Sequence, residues 1–97
     1  MIELKELIPL IEKEMNFGRS KYGKYHTSHE HYAVLLEEVD EWFDAIKGNV
    51  ADSCQYELIQ VASVALRYII ENGKLDHLTY VQDKRIREDK LPIDSID

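Results

Sequence analysis

Apolar residues near the start of the chain recur with a helical period. In IELKELIPLIEKEM, residues 2–15, Leu4, Leu7, Ile8, Ile11 and Met15 fall three or four apart, the spacing of an amphipathic helix. Pro9 lies inside this stretch, so the helix either bends there or begins its regular part just before it. The following NFGRSKYGKYHTSH mixes two glycines, polar residues and aromatic rings without a period. It predicts a loop of about a dozen residues, a length more often functional than idle. Thr27 then offers an N-cap, with Glu30 three residues on to complete a capping box. A second helix runs from there to about Lys47 and stops at Gly48. Its stripe of Tyr32, Leu35, Leu36, Val39, Trp42, Phe43 and Ile46 predicts a core-facing side.

After the turn at Gly48-Asn49, a third helix is predicted over about Val50 to Asn72, closed by Gly73. Ile59, Ala62, Leu66, Ile69 and Ile70 lie on one side of it, and Cys54, Leu58, Val61, Ala65 and Tyr68 on another. A helix apolar almost all round needs burial on several sides, which a chain of this size hardly supplies, so a homo-oligomer is expected. From residue 74 the pattern weakens. Leu75, Leu78, Val81 and Ile86 allow one short helix, ended by Pro92. No segment alternates as a strand would. The expectation is an all-α fold: one domain over 1–97, a helical bundle around an antiparallel hairpin at about 27–73.

Composition narrows the partners. A formal net charge of −7 argues against nucleic acid or an anionic membrane, both of which reward clustered Lys and Arg. The single cysteine, Cys54, has no internal disulfide partner and fits a reducing cytoplasm. Neither a signal-peptide pattern nor an apolar run of the roughly 20 residues that span a bilayer is present, and a cytoplasmic protein is expected.

The charge is concentrated in EEVDE, residues 37–41, within the second helix. On a helical wheel centred on Val39, Glu38 falls near about −100° and Glu41 near about −160°, beside the small apolar Val34 and Ala45. Glu37, Asp40 and Asp44 fall on the opposite side, where a solvated face suits them. The third helix carries one coherent polar strip: Ser53, Glu57, Gln60, Arg67 and Glu71. Folding the hairpin antiparallel sets Glu38 and Glu41 against Glu57 and Gln60, three carboxylates and an amide oxygen around one point. Such hard oxygen ligands suit Mg²⁺ or Mn²⁺. The alternative is an ion-pair network in which Arg67 or Lys47 neutralises the acids.

Glu38-x-x-Glu41, 15 residues, then Glu57-x-x-Gln60 resembles the ExxE…ExxD signature of the MazG-like all-α nucleotide pyrophosphohydrolases. LLEEVDEWFDAI and ELIQVASVALRYI resemble that family's two central helices, and the likeness covers about residues 17 to 72. The resemblance implies a dimer or tetramer whose carboxylates bind Mg²⁺ and, through it, a nucleoside triphosphate, cleaved to the monophosphate and pyrophosphate. Glu38, Glu41 and Glu57 would be metal ligands. Gln60 stands where the family usually has Asp; it brings an oxygen but neither charge nor basicity. A carboxylate not fully engaged with metal, Glu41 or Glu37, would orient or deprotonate the attacking water.

Lys21 and Lys24, with Arg19, are candidates to grip phosphates, and Tyr22 or Tyr25 to stack on a base; otherwise they are solvated cations and packing aromatics. Arg67 is either a phosphate ligand or the counterion of Glu71. His26, His29 and His31 are close in sequence, but the last two lie about 200° apart on a helix, which disfavours one shared metal site. A non-catalytic helical interaction or nucleotide-binding module with the same fold is the competing expectation.

Overall fold

The central hairpin begins where the sequence predicts. Thr27, in extended backbone, accepts the Glu30 N–H through Oγ1 at 3.0 Å, while the Glu30 carboxylate accepts the His26 N–H at 3.0 Å. This is a capping box shifted by one residue at its second bond. The computed structural model describes residues 1–89 and contains four helices: α1 (Leu4–Tyr22), α2 (Ser28–Lys47), α3 (Ala51–Asn72) and α4 (Leu75–Asp89). The all-α expectation holds, with no strand among the described residues. None of these helices is long and apolar enough to cross a membrane. Pro92 lies outside the described residues.

α2 ends in a tight turn whose left-handed residue is Asn49, at φ 56°, whereas Gly48 stays right-handed at φ −77°. Asn tolerates this region better than most side chains, so the expected glycine role passes to its neighbour. Gly73 closes α3 in extended backbone, with its N–H on the Ile69 carbonyl. A Cβ at residue 73 would meet that carbonyl oxygen at 2.5 Å, so any side chain there would force the turn apart.

α2 packs along α3 as an antiparallel pair, α1 crosses α3 more briefly, and α4 makes no comparable helix contact. Two expectations are corrected here. The segment read as a loop of about a dozen residues is mostly helix: α1 continues through Pro9 and on to Tyr22, leaving only residues 23–27 as connection. Gly23, at φ 75°, ends it, and its carbonyl is taken by Arg67 of α3. Contacts distant in sequence hold the last turns of α1, which is why local periodicity missed them. The α2 stripe is the second correction. Tyr32 is 60% and Phe43 55% exposed, and Leu36 and Ile46 are exposed as well. Only Leu35, Val39 and Trp42 of that stripe are half-buried.

The best-buried side chains between the helices are polar. Arg67 and His31 are 2% and 4% exposed, with Ser63, while Ile11 and Val64 are the buried apolar residues among those described. His31 lies between Tyr25 and Tyr68, at 4.3 and 5.0 Å between ring centroids. Its Nε2 bonds the Val64 carbonyl, tying α2 to α3. It is a packing residue, and the three histidines form no metal cluster among the described residues.

Candidate metal centre and cleft

α2 and α3 bring the predicted carboxylates together. One carboxylate oxygen from each of Glu38, Glu41 and Glu57 lies within 4.8 Å of the others. Glu41 is exposed, and Glu38 and Glu57 are half-buried. Glu38 Oε2 is shielded from solvent and has no hydrogen-bond partner. A buried carboxylate oxygen without a donor is costly in its charged form, so the site suits a cation better than it suits water.

The electrostatics agree. Burial, then the charges of Glu41, Glu57 and Glu37, push Glu38 from its ordinary 4.5 up to about 7. Burial and Glu41 push Glu57 upward too. These shifts set a pH dependence. The folded state holds a proton on Glu38 that the unfolded chain has already released, so the penalty is absent below about pH 4.5 and complete above about pH 7. Without divalent metal, the thermal midpoint should therefore fall as pH rises from 4.5 to 7. A midpoint rising across that window would overturn the crowded-carboxylate picture. A divalent cation held by these acids would compete with this proton, so stabilisation by added metal is expected to grow over the same window.

The carboxylates line a cleft of about 740 Å³ between the three first helices. Phe17, Gly18, Tyr22, Tyr25 and Arg67 line it as well. Arg67 lies seven residues beyond Gln60, roughly 10 Å along the helix axis, so the guanidinium and the Tyr25 ring it stacks on stand about two turns from Gln60. The counterion reading of Arg67 holds: Nε meets Glu71 Oε2 at 3.2 Å, Nη2 donates to the Gly23 carbonyl at 2.9 Å, and the guanidinium lies 4.6 Å from the Tyr25 ring centroid. The acids are not neutralised by Lys47, which pairs with Asp44 at 3.3 Å on the surface.

Glu37 departs from the wheel. The wheel sets it with Asp40 and Asp44 toward water, but it lines the cleft while remaining exposed. The reason is geometric: Glu37 and Glu41 are i, i+4 neighbours, about 40° apart, on either side of the point opposite Val39. Lys21 is not brought to the acids. Its ammonium lies over Phe17 and Tyr22, 5.7 and 5.1 Å from the ring centroids, and it is absent from the cleft wall. Lys24 lines a separate, smaller cavity beside Tyr25 and His31.

Sequence reasoning missed Glu14 and Tyr56, both on the cleft wall. Glu14 accepts from the Tyr56 hydroxyl at 2.8 Å and from Gln60 Nε2 at 3.0 Å. This bond raises the Tyr56 pKa and keeps the phenol a donor. On a helical wheel Glu14 falls about 60° from Ile11 and about 20° from Leu7, on the apolar side of α1, and that placement is the signal the sequence carries. Compared with protein-family models, curated proteins and solved structures, the chain matches none.

Proposed function

We propose that this protein is a divalent-metal-dependent nucleoside triphosphate pyrophosphohydrolase resembling the MazG-like enzymes, and that it works as a homo-oligomer. The observation that carries the reading is the convergence of Glu38, Glu41 and Glu57 on a cleft, with one buried Glu38 oxygen lacking any donor. Three carboxylates and the Gln60 amide oxygen form a donor set suited to Mg²⁺ or Mn²⁺. Bound there, the cation would neutralise phosphate charge and polarise the phosphoryl group. The chain's own residues supply the rest. Glu41 and Glu37, both exposed to the cleft, would accept a proton from water as its oxygen attacks the α-phosphorus. The bond from that phosphorus to the bridging oxygen then breaks, and pyrophosphate leaves. Lys21 and Lys24 lie off the cleft wall and are not needed for this scheme. Tyr22, Tyr25 and Phe17 offer apolar surface for a base.

Oligomerisation is supported by the exposed α2 stripe and by the scarcity of buried apolar residues, since an apolar surface of this extent calls for a partner. The deciding experiment measures pyrophosphate release from standard and damaged NTPs and dNTPs with Mg²⁺ or Mn²⁺. Turnover of at least one nucleotide is expected. Absence of turnover across the panel, together with no thermal response to millimolar metal, would instead favour the non-catalytic interaction module, whose exposed apolar stripe would be its working surface.

A further inference from the structure

Gln60 is the one uncharged member of the proposed ligand set, and an acid from another helix holds it. Its Nε2 donates to Glu14 Oε2 at 3.0 Å and to the Tyr56 hydroxyl oxygen at 2.9 Å, and that hydroxyl donates in turn to Glu14 Oε1 at 2.8 Å. The three side chains close a hydrogen-bonded ring spanning α1 and α3. An ionised carboxylate only accepts, so the amide nitrogen must face Glu14. Both amide hydrogens then have acceptors. Among the described residues no hydrogen bond reaches Oε1, which is left as the side chain's available donor atom for a cation.

We infer that Glu14 is a positioning residue of the metal centre, fixing the Gln60 amide with its oxygen available to a cation and contributing the fourth negative charge that residue 60 lacks. The inference rests on the metal-centre reading above and gives that reading a reason for glutamine at this position. An acid at residue 60 would place two carboxylates face to face in the ring, whereas an amide lets the charge reside on α1. Outer-shell partners of this kind orient ligands and tune their affinity.

The test uses the full chain as wild type, Glu14→Gln, and the exchange variant Glu14→Gln/Gln60→Glu, with Mn²⁺ alone as probe. Mn²⁺ affinity and the metal-free thermal midpoint are measured for each. In Glu14→Gln the carboxylate charge is lost and the facing amide can accept or donate, so the Gln60 oxygen is no longer fixed toward a cation and Mn²⁺ should bind about 10-fold more weakly. The exchange variant restores one acid and one amide, with oxygen presented at residue 60 in either orientation, and should recover most of the lost affinity. It also keeps a hydrogen-bonded tether between α1 and α3 if Glu14→Gln alone fails to fold. Wild-type affinity in Glu14→Gln, even with a lowered midpoint, would make Glu14 only a tether between helices and overturn the inference. So would an exchange variant at least 10-fold weaker than wild type. Failure of the wild type itself to bind millimolar Mn²⁺ would overturn the metal-centre reading and this inference together, an outcome distinguishable from the other two.

Discussion

Replacing Glu38 with glutamine is expected to abolish both turnover and the stabilising effect of metal, while making the metal-free protein more heat-resistant above pH 7. The two effects have opposite signs because one residue causes both. Glu38 is held against Glu41 and Glu57 with one oxygen buried and unpartnered, which raises its pKa to about 7. Above that pH the fold carries a charge it poorly accommodates. The amide keeps the shape and removes the charge, so the metal-free midpoint should lose its decline between pH 4.5 and 7. Under the proposed function, the same change removes a metal ligand. Outer-shell residues already cost about 10-fold to 100-fold in affinity or activity, so loss of a direct ligand should lower turnover by more than about 100-fold. Wild-type protein at pH 8 with metal at about 100 times its dissociation constant gains roughly 2.7 kcal/mol. That corresponds to a midpoint shift on the order of 10 °C in a domain of this size, and Glu38→Gln should show almost none. A variant that loses stability at pH 8 and still responds to Mg²⁺ would contradict the placement of Glu38 at the centre.

Arg67→Met should produce the largest loss of stability. Arg67 joins three parts of the fold at once: Glu71 on its own helix, the Gly23 carbonyl that ends α1, and the Tyr25 ring before α2. Methionine fills similar volume but leaves the Gly23 carbonyl without this donor and Glu71, only 13% exposed at its side chain, without its cation. Breaking a buried pair by removing one partner costs about 3 to 5 kcal/mol, far more than a surface pair. Urea or thermal denaturation of the metal-free protein reads this directly. Arg67→Lys should recover little, because an ammonium cannot make the forked, stacked arrangement. A loss below about 1 kcal/mol would mean that the packing of α2 on α3 holds the fold without this hub.

Parts of this structure were legible locally. Thr27 and Glu30 announced the start of α2, and the period from Tyr32 to Ile46 announced its length, because capping and helical spacing act over a few residues. The i, i+3 acids were legible for the same reason. Once the hairpin is antiparallel, its register sets Glu38 and Glu41 against Glu57. The end of α1 was not legible, since Gly23 and the aromatic run around it look like a loop until Arg67 reaches back from α3. Nor was the role of Glu37, because a wheel centred on the apolar stripe places the cleft boundary nearly opposite that centre, where a small rotation changes sides.

The sequence by itself determined the all-α class, the hairpin and the three carboxylates that meet in it, all consequences of short-range periodicity and of one antiparallel pairing. Only the tertiary structure decided that the α2 stripe is largely uncovered in the single chain, that Arg67 and His31 fill the space between helices, and that Glu14 holds Gln60. Those facts depend on contacts between residues 33 to 46 positions apart. No local pattern encodes such contacts, because the way α1 meets α3 is set by packing and by hydrogen bonds between the helices rather than by the propensities of either helix.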